Sequence, residues 1–454
     1  MKSVLSLSSS RWALLAAFGL AAASYTPAAA ADLGGDCCAD LEERVAELEA
    51  TTARKGNRKV SLTVSGWVNE QVMWWNDGTE SNAYVGTNSL EQSRVRFVGE
   101  AQIAPGYSAG YTLELGLQGA PLNQFTQSQP DGSNSNTVTV RKSNWWLKSK
   151  DLGKVTVGLE GTAMYHVLDD ADAANTRNFY DAEADGVYQG AFQLRGAGIK
   201  SSLTWSNLLA GPNNNTPGQD GRRNIVRYDS PTIAGFTFTA SWGEDDNWGM
   251  SLTYANTWGD FKLLGKAGYG QNADENTATC HNNGSSFSSP PGSTTKHQDC
   301  ELFGAAATVM HVPTGIYVYG GYGQTHDNAI ENAPLSTGAP VGDVAGLDAD
   351  HSMYFIQGGI EQKWLPIGKT TIYGQYRHDD AGSNPTSNNT GANDFIRNAK
   401  LNFWTVGVVQ NVEPAAMDLY VMYRQGDGDV TFNTTGTKDI DTFQAVIAGG
   451  LIKF

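Results

Sequence analysis

The sequence predicts an all-β fold, a 16-stranded antiparallel transmembrane β-barrel. Three observations carry this. Apolar and polar residues alternate with period two from Val60 to Phe454, tight turns alternate with long polar connections, and aromatic residues gather near the expected strand ends.

Met1–Ser10 holds one cation, Lys2, and Arg11 comes next. The apolar run Trp12–Ala23 is shorter than the ~18–20 residues a membrane-spanning helix needs. Pro27-Ala-Ala-Ala-Ala31 then supplies small residues before Asp32, so residues 1–31 read as a secretory signal peptide with cleavage after Ala30 or Ala31.

Residues 32–58 differ from the rest. Asp40–Ala50 is rich in helix formers, and Leu41, Val45, Leu48 and Thr52 fall at spacings of four, three and four. That is a coiled-coil seam of about two heptads, marginal in isolation. It forms a three-chain bundle if something else holds the chains together, or an amphipathic helix against its own barrel. The basic linker Arg54-Lys-Gly-Asn-Arg-Lys59 leads into the first strand.

In the 59–454 barrel domain, Val60, Leu62 and Val64 alternate with Ser61, Thr63 and Ser65. The same alternation recurs at Arg94–Phe97, Val155–Glu160 and Phe236–Ser241. In a membrane barrel the apolar set faces lipid and the polar set faces the lumen. Tight turns are expected near Ala104-Pro-Gly, Asp151-Leu-Gly, Pro231–Gly235, Gly259-Asp, Val312-Pro-Thr-Gly, Pro366-Ile-Gly and Glu413-Pro. Long connections are expected at 77–90, 121–136, 162–221, 272–300, 327–350, 380–398 and 428–440, with a short one at Glu244–Asn247. The segments between them number sixteen, an even count as single-chain bacterial barrels have. Trp74, Trp75, Trp145, Trp146, Trp242, Trp248, Trp258 and Trp364 lie where interfacial girdles are expected.

Composition agrees. The 454 residues include 52 glycines, 15 prolines and only 4 cysteines, with 12 tryptophans and 18 tyrosines. No linker follows residue 58, so the remainder reads as one large closed sheet. The net charge of −16 argues against nucleic acid as a partner, which needs basic stripes.

The segments Lys59-Val-Ser-Leu-Thr-Val-Ser-Gly-Trp-Val-Asn-Glu70, Ser93-Arg-Val-Arg-Phe97 and Arg222–Phe236, with the terminal Phe454, resemble the general porins of alphaproteobacterial outer membranes. The likeness runs from about residue 32 onward. It implies an outer-membrane location, a homotrimer amid lipid and lipopolysaccharide, and a third outer loop folded into the pore. A last strand ending in Phe454 looks like the signal read by the barrel assembly machinery. The resemblance implies passive diffusion of small hydrophilic solutes and ions, without cofactor or metal.

The expected site is therefore a constriction. The long connection Gly161–Gly221 carries Asp169, Asp170, Asp172, Asp181, Glu183 and Asp185. The facing wall should be basic, and inward parity selects Arg94, Arg96, Arg223, Arg227, Lys262 and Lys266. Arg377 and Arg424 are weaker candidates. Cys280 and Cys300 bracket one outer loop and are expected to be disulfide-bonded in an oxidising compartment. Cys37 and Cys38 are adjacent, as free thiols or intermolecular partners. Seven histidines show no metal-ligand spacing, and no G-x-S-x-G, H-E-x-x-H or P-loop is present, which argues against an enzyme. Two further readings stay open. One is a substrate-selective channel, for which Tyr317 and Tyr319 share a parity without forming a continuous aromatic track. The other is an envelope tether to peptidoglycan through the N-terminal segment.

Overall fold

A computed structural model describes residues 60–130, 137–174, 176, 190–209, 216–243, 246–273, 287–288, 296–297, 300–328, 347–391 and 394–454. The signal segment, the seam Leu41–Val45–Leu48 and the basic linker lie outside the described residues.

Eighteen strands form one antiparallel sheet. Two of them, Ser81–Thr87 and Asn384–Asn388, are short and belong to outer loops. The remaining sixteen make the barrel. They are β1 (Ser61–Asn76), β2 (Arg94–Ala104), β3 (Tyr107–Gln118), β4 (Thr137–Ser149), β5 (Gly153–Gly161), β6 (Arg222–Asp229), β7 (Phe236–Gly243) and β8 (Asn247–Trp258). They continue as β9 (Phe261–Asn272), β10 (Cys300–His311), β11 (Ile316–Asp327), β12 (Asp350–Leu365), β13 (Gly368–Ala381), β14 (Phe395–Val412), β15 (Met417–Phe432) and β16 (Gly436–Lys453). The barrel closes where β16 pairs with β1, from Trp67↔Lys453 to Asn76↔Gln444. Phe454 completes the seam by exchanging backbone hydrogen bonds with Gly66 at 3.0 and 3.1 Å. β1 divides its other edge: Ser61–Trp67 pair with β2, while Glu70–Asn76 pair with Ser81–Thr87.

Alternation sets the faces. Val64, Val68 and Val72 point out and are about half exposed, while Asn69, Gln71, Met73 and Trp75 point in and are buried. Trp145, Trp242, Trp258, Trp364 and Trp404 are exposed on the outer wall, at girdle positions. Two tryptophans depart from the expectation: Trp75 and Trp146 face inward and are buried. Trp75 packs on Tyr84 and Phe192, and Trp146 lies under the Lys154 ammonium.

The loops also depart in part. The stretch 428–440, expected as a long connection, is mostly strand; β15 and β16 stay paired up to Phe432↔Gly436. Its inward residues Val430, Phe432 and Ile440 are buried against apolar neighbours, so packing extends a hairpin whose polar, glycine-rich sequence reads as loop. As a result β12–β16 run 14–18 residues, whereas β6 and β7 have 8 each.

Candidate pore constriction

Neighbouring strands place charged side chains in one row across the inner wall of β2–β6. Arg96 pairs in register with Glu114, Glu114 with Lys142, and Glu160 with Arg223. Lys142 Nζ donates to Glu160 Oε1 at 2.5 Å, closing the gap between the two halves. The row thus alternates in sign. At its centre Glu114 is buried and accepts from Arg96 Nε at 2.6 Å and Arg141 Nε at 2.9 Å, with Arg94 Nη1 at 3.4 Å. One carboxylate therefore serves three guanidiniums. A register shift between Glu114 and Leu115 brings Arg141 into this group, and sequence parity alone does not show it. Arg94 itself is buried, bonded to Glu91 at 2.5 Å and placed over the Trp67 ring at 4.3 Å.

The described parts of the connection Gly161–Gly221 pack inside the barrel. Its first limb, residues 162–174 with Thr176, lies on the inner wall of β8–β12. Tyr319 Oη donates to Leu168 O at 2.9 Å, Thr308 Oγ1 to Ala171 O at 2.5 Å and Gln357 Nε2 to Thr176 Oγ1 at 3.2 Å. Lys266 Nζ donates to Asp170 Oδ2 at 2.6 Å and to the Tyr165 and His166 carbonyls. The bed beneath is glycine. A Cβ at Gly268 or Gly270 would fall within 2.9 Å of Met164, and one at Gly304 within 2.5 Å of Val167. The returning chain passes Gly218, whose φ of +76° and a Cβ position 2.2 Å from Phe303 O admit only glycine.

The second limb, residues 190–209, fills the long-loop end of the lumen beside β1 and β14–β16. Phe192, Leu194, Leu203, Trp205, Leu208 and Leu209 are buried in one cluster with Trp75, Leu401, Phe403 and Phe443. Each large apolar side chain so buried contributes about 2 kcal/mol. Polar ties fix the rim. Arg195 Nε donates to Asp77 Oδ2 at 2.7 Å and Arg195 Nη2 to Glu80 Oε1 at 2.7 Å. Asn389 accepts from Lys200 N at 2.8 Å and donates to Gly198 O at 2.9 Å.

Two outer-loop carboxylates hold this arrangement. Burial opposes ionisation of Asp394, yet hydrogen bonds from Thr434, Thr435 and Thr390 outweigh it and keep its carboxyl well below the usual range. Asp77 is shifted down likewise: burial raises it, while the Glu80 and Thr79 amides, Arg195 and Gln127 lower it further.

The residues expected at the constriction fall into three groups. Arg96 and Arg227 reach the open lumen; Arg227 also pairs with Asp229 at 2.8 Å and caps Gly161 O at 2.9 Å. Arg94 and Arg223 are buried, the latter bonded through two nitrogens to Asp220 at the loop's return. Lys262 and Lys266 sit beneath the first limb, Lys262 donating to Ala173 O at 3.3 Å, so they anchor the loop and do not face it across water. Of the acids, Asp170 is about one-third exposed, Asp169 is buried beside His166, and Asp172 is bonded to Thr176. Asp181, Glu183 and Asp185 lie outside the described residues. Arg377 and Arg424 are buried, Arg377 against Asp379 at 2.5 Å. Cys300 is buried and disulfide-bonded; Cys280, Cys37 and Cys38 lie outside the described residues. Sequence parity alone does not mark Arg141 and Lys142 as constriction residues, whereas inward parity on β3 and β5 marks Glu114 and Glu160. Among the described residues no cluster of His, Cys, Asp and Glu could hold a metal.

A family profile described as Gram-negative porin matches residues 13–448. No curated protein sequence matches the chain. Among solved structures, an anion-selective porin from Comamonas acidovorans superposes with a TM-score of 0.55 at 16% identity, covering 87% of this chain and 100% of its own. OmpT, an outer membrane protein of Vibrio cholerae, superposes with a TM-score of 0.50 at 14% identity, covering 88% and 99%. At these identities the likeness is one of fold.

Proposed function

The chain belongs to the Gram-negative porin family and is an outer-membrane β-barrel channel, and we propose that it is a passive diffusion pore for small hydrophilic solutes and ions, narrowed by the connection Gly161–Gly221. The observation that carries this is the alternating charged row Arg96–Glu114–Lys142–Glu160 on the wall left open by the first limb. Fixed charges of both signs in a low-dielectric wall set up a field across the water column. Polar solutes exchange hydration for these side chains, whereas an apolar solute must displace oriented water and passes poorly. No residue is assigned a catalytic role.

Inner tyrosines bear on the selective-channel reading. Tyr317, Tyr319, Tyr373 and Tyr420 all face inward, yet each is at most 5% exposed. Tyr317, Tyr373 and Tyr420 lie against Gly359, Gly407 and Gly449 of the next strand. They pack and anchor, and offer no sliding track to a sugar in transit, which favours general diffusion.

Residues 1–31 are removed on secretion, and 32–58 lie in the periplasm as a helical segment before the 59–454 barrel. OmpT of Vibrio cholerae has a trimer form, and a homotrimer would bring three Leu41–Val45–Leu48 seams to high effective concentration. Phe454 serves as the assembly signal, and the N-terminal segment reaches toward peptidoglycan. Cys280 is the partner of Cys300. Planar-bilayer conductance with neutral solutes of graded size tests the pore. Ohmic channels with a sharp size cut-off are expected. A saturable dependence on one sugar would replace this reading with the selective one.

A further inference from the structure

The periplasmic end of the lumen holds a feature the constriction does not use. A cavity of about 1050 Å³ opens there, lined by Lys148, Lys150, Lys154, Arg227 and hydroxyls including Ser108 and Ser230. The inner-face row at this level runs Gln102↔Ser108↔Lys148↔Lys154↔Asp229. Lys148 and Lys154 are therefore directly opposite on neighbouring strands, with no acid between them. Like charges so placed repel. Asp229 and Glu100 also line the cavity, but Asp229 is held by Arg227 at 2.8 and 3.1 Å. Lys148, Lys150 and Lys154 make no ion pair among the described residues. Lys154 has a ring contact with Trp146 at 5.3 Å.

Three cation groups among the described residues of the lumen have a carboxylate in contact: Glu114 for Arg94, Arg96 and Arg141, Glu160 for Lys142, and Asp170 for Lys266. Among the described residues, Lys148 and Lys154 face each other without such a contact, although Asp229 and Glu100 line the same cavity. Ammonium groups with nearby hydroxyls suit a compact oxyanion of charge two or more, whose several oxygens accept from more than one donor at once. Glu160 and Lys154 are six residues apart on β5, so the cavity lies ~20 Å along the strand from the charged row.

We propose that this vestibule is a binding site for a small multivalent oxyanion of the phosphate class, reached from the periplasmic side and separate from the constriction. Occupation neutralises the Lys148–Lys154 repulsion and lowers the local anion field, so bound phosphate reduces chloride current. The inference rests on the channel reading, and its test separates the two.

Purified protein is reconstituted in planar bilayers with potassium chloride on both sides, and inorganic phosphate is added to one side and then the other. Wild type is expected to show a saturable fall in chloride conductance, half-complete at a lower phosphate concentration from the short-turn side. The variant Lys148→Gln with Lys154→Gln loses two ammonium donors and should need at least about tenfold more phosphate, the equivalent of one charged hydrogen bond alone. Lys363→Gln, on an exposed pair with Glu413, should match wild type. Linewidths of the phosphorus resonance with detergent-solubilised wild type give a second reading independent of the variants. Open channels with no saturable phosphate effect, an equal effect in the double variant, or an unbroadened resonance would each overturn the site while leaving the pore intact. Absence of channels altogether would instead remove the channel reading on which it rests.

Discussion

Replacing Glu114 by glutamine removes the one negative charge shared by Arg94, Arg96 and Arg141. Two of the three hydrogen bonds are short, 2.6 Å from Arg96 and 2.9 Å from Arg141, and the third is long at 3.4 Å. A charged hydrogen bond contributes about 1.5–3 kcal/mol. The Arg96 side chain is one-third exposed, so water compensates part of its loss, and glutamine keeps one acceptor oxygen. Arg141 and Arg94 are buried and have less recourse to solvent. Together these give a destabilisation of about 2–3 kcal/mol, below the ~3–5 kcal/mol for breaking a fully buried pair. The same change adds one positive charge to the row. Urea unfolding in lipid vesicles should show a lowered midpoint, and the zero-current potential in a chloride gradient should move toward anions. If both stay at wild-type values, Glu114 is not the electrostatic centre of the constriction.

Other outcomes follow from the same geometry. Deleting residues 169–185 should admit larger sugars in liposome swelling while the barrel still forms, because the strands close without the loop; an unchanged size cut-off would place the constriction elsewhere. Asp394→Asn should loosen the tie among the loops at 389–394, 433–435 and 198–200, read as faster cleavage by an external protease. The folded carboxyl of Asp394 is shifted down from 3.8, so its contribution is complete above that value and fades as pH falls below it. Wild-type loops should accordingly stay protected at pH 5, and release at pH 5 would contradict the assignment. Alkylation without reductant followed by intact-mass measurement should label neither Cys280 nor Cys300; labelling of both at high occupancy rejects that pairing. Removing residues 32–55 should leave single-channel conductance unchanged, whereas a larger conductance would put that segment in the lumen.

The sixteen strands were legible because an outward apolar set and an inward polar set write themselves into the sequence with period two. β16 shows where this stops. Its first residues, Gly436–Ile440, look like a turn, and the burial of Ile440 beneath the second limb extends the strand over them. Inward parity correctly placed Arg96 and Arg227 on the inner wall. It could not say which wall the loop would cover, so Lys262 and Lys266 were expected to face the loop and instead lie under it. The bed that receives the first limb was invisible for a simple reason. Gly268, Gly270 and Gly304 have no side chain, and so leave no mark in a pattern of polar and apolar side chains.

The unequal strand lengths have a consequence at the cell surface. Strands of 16–18 residues reach ~53–61 Å along their axes, and a tilt of about 40° still leaves them taller than an apolar band of ~25 Å. The 8-residue strands β6 and β7, ~27 Å long, rise only ~20 Å at the same tilt and end inside that band. One flank of the rim therefore stands above the lipid as an ordered β-crest, while the opposite flank sits nearly flush. An antibody or a phage tail fibre approaching from outside meets a lopsided parapet, and among the described residues the crest formed by β14–β16 stands highest on it.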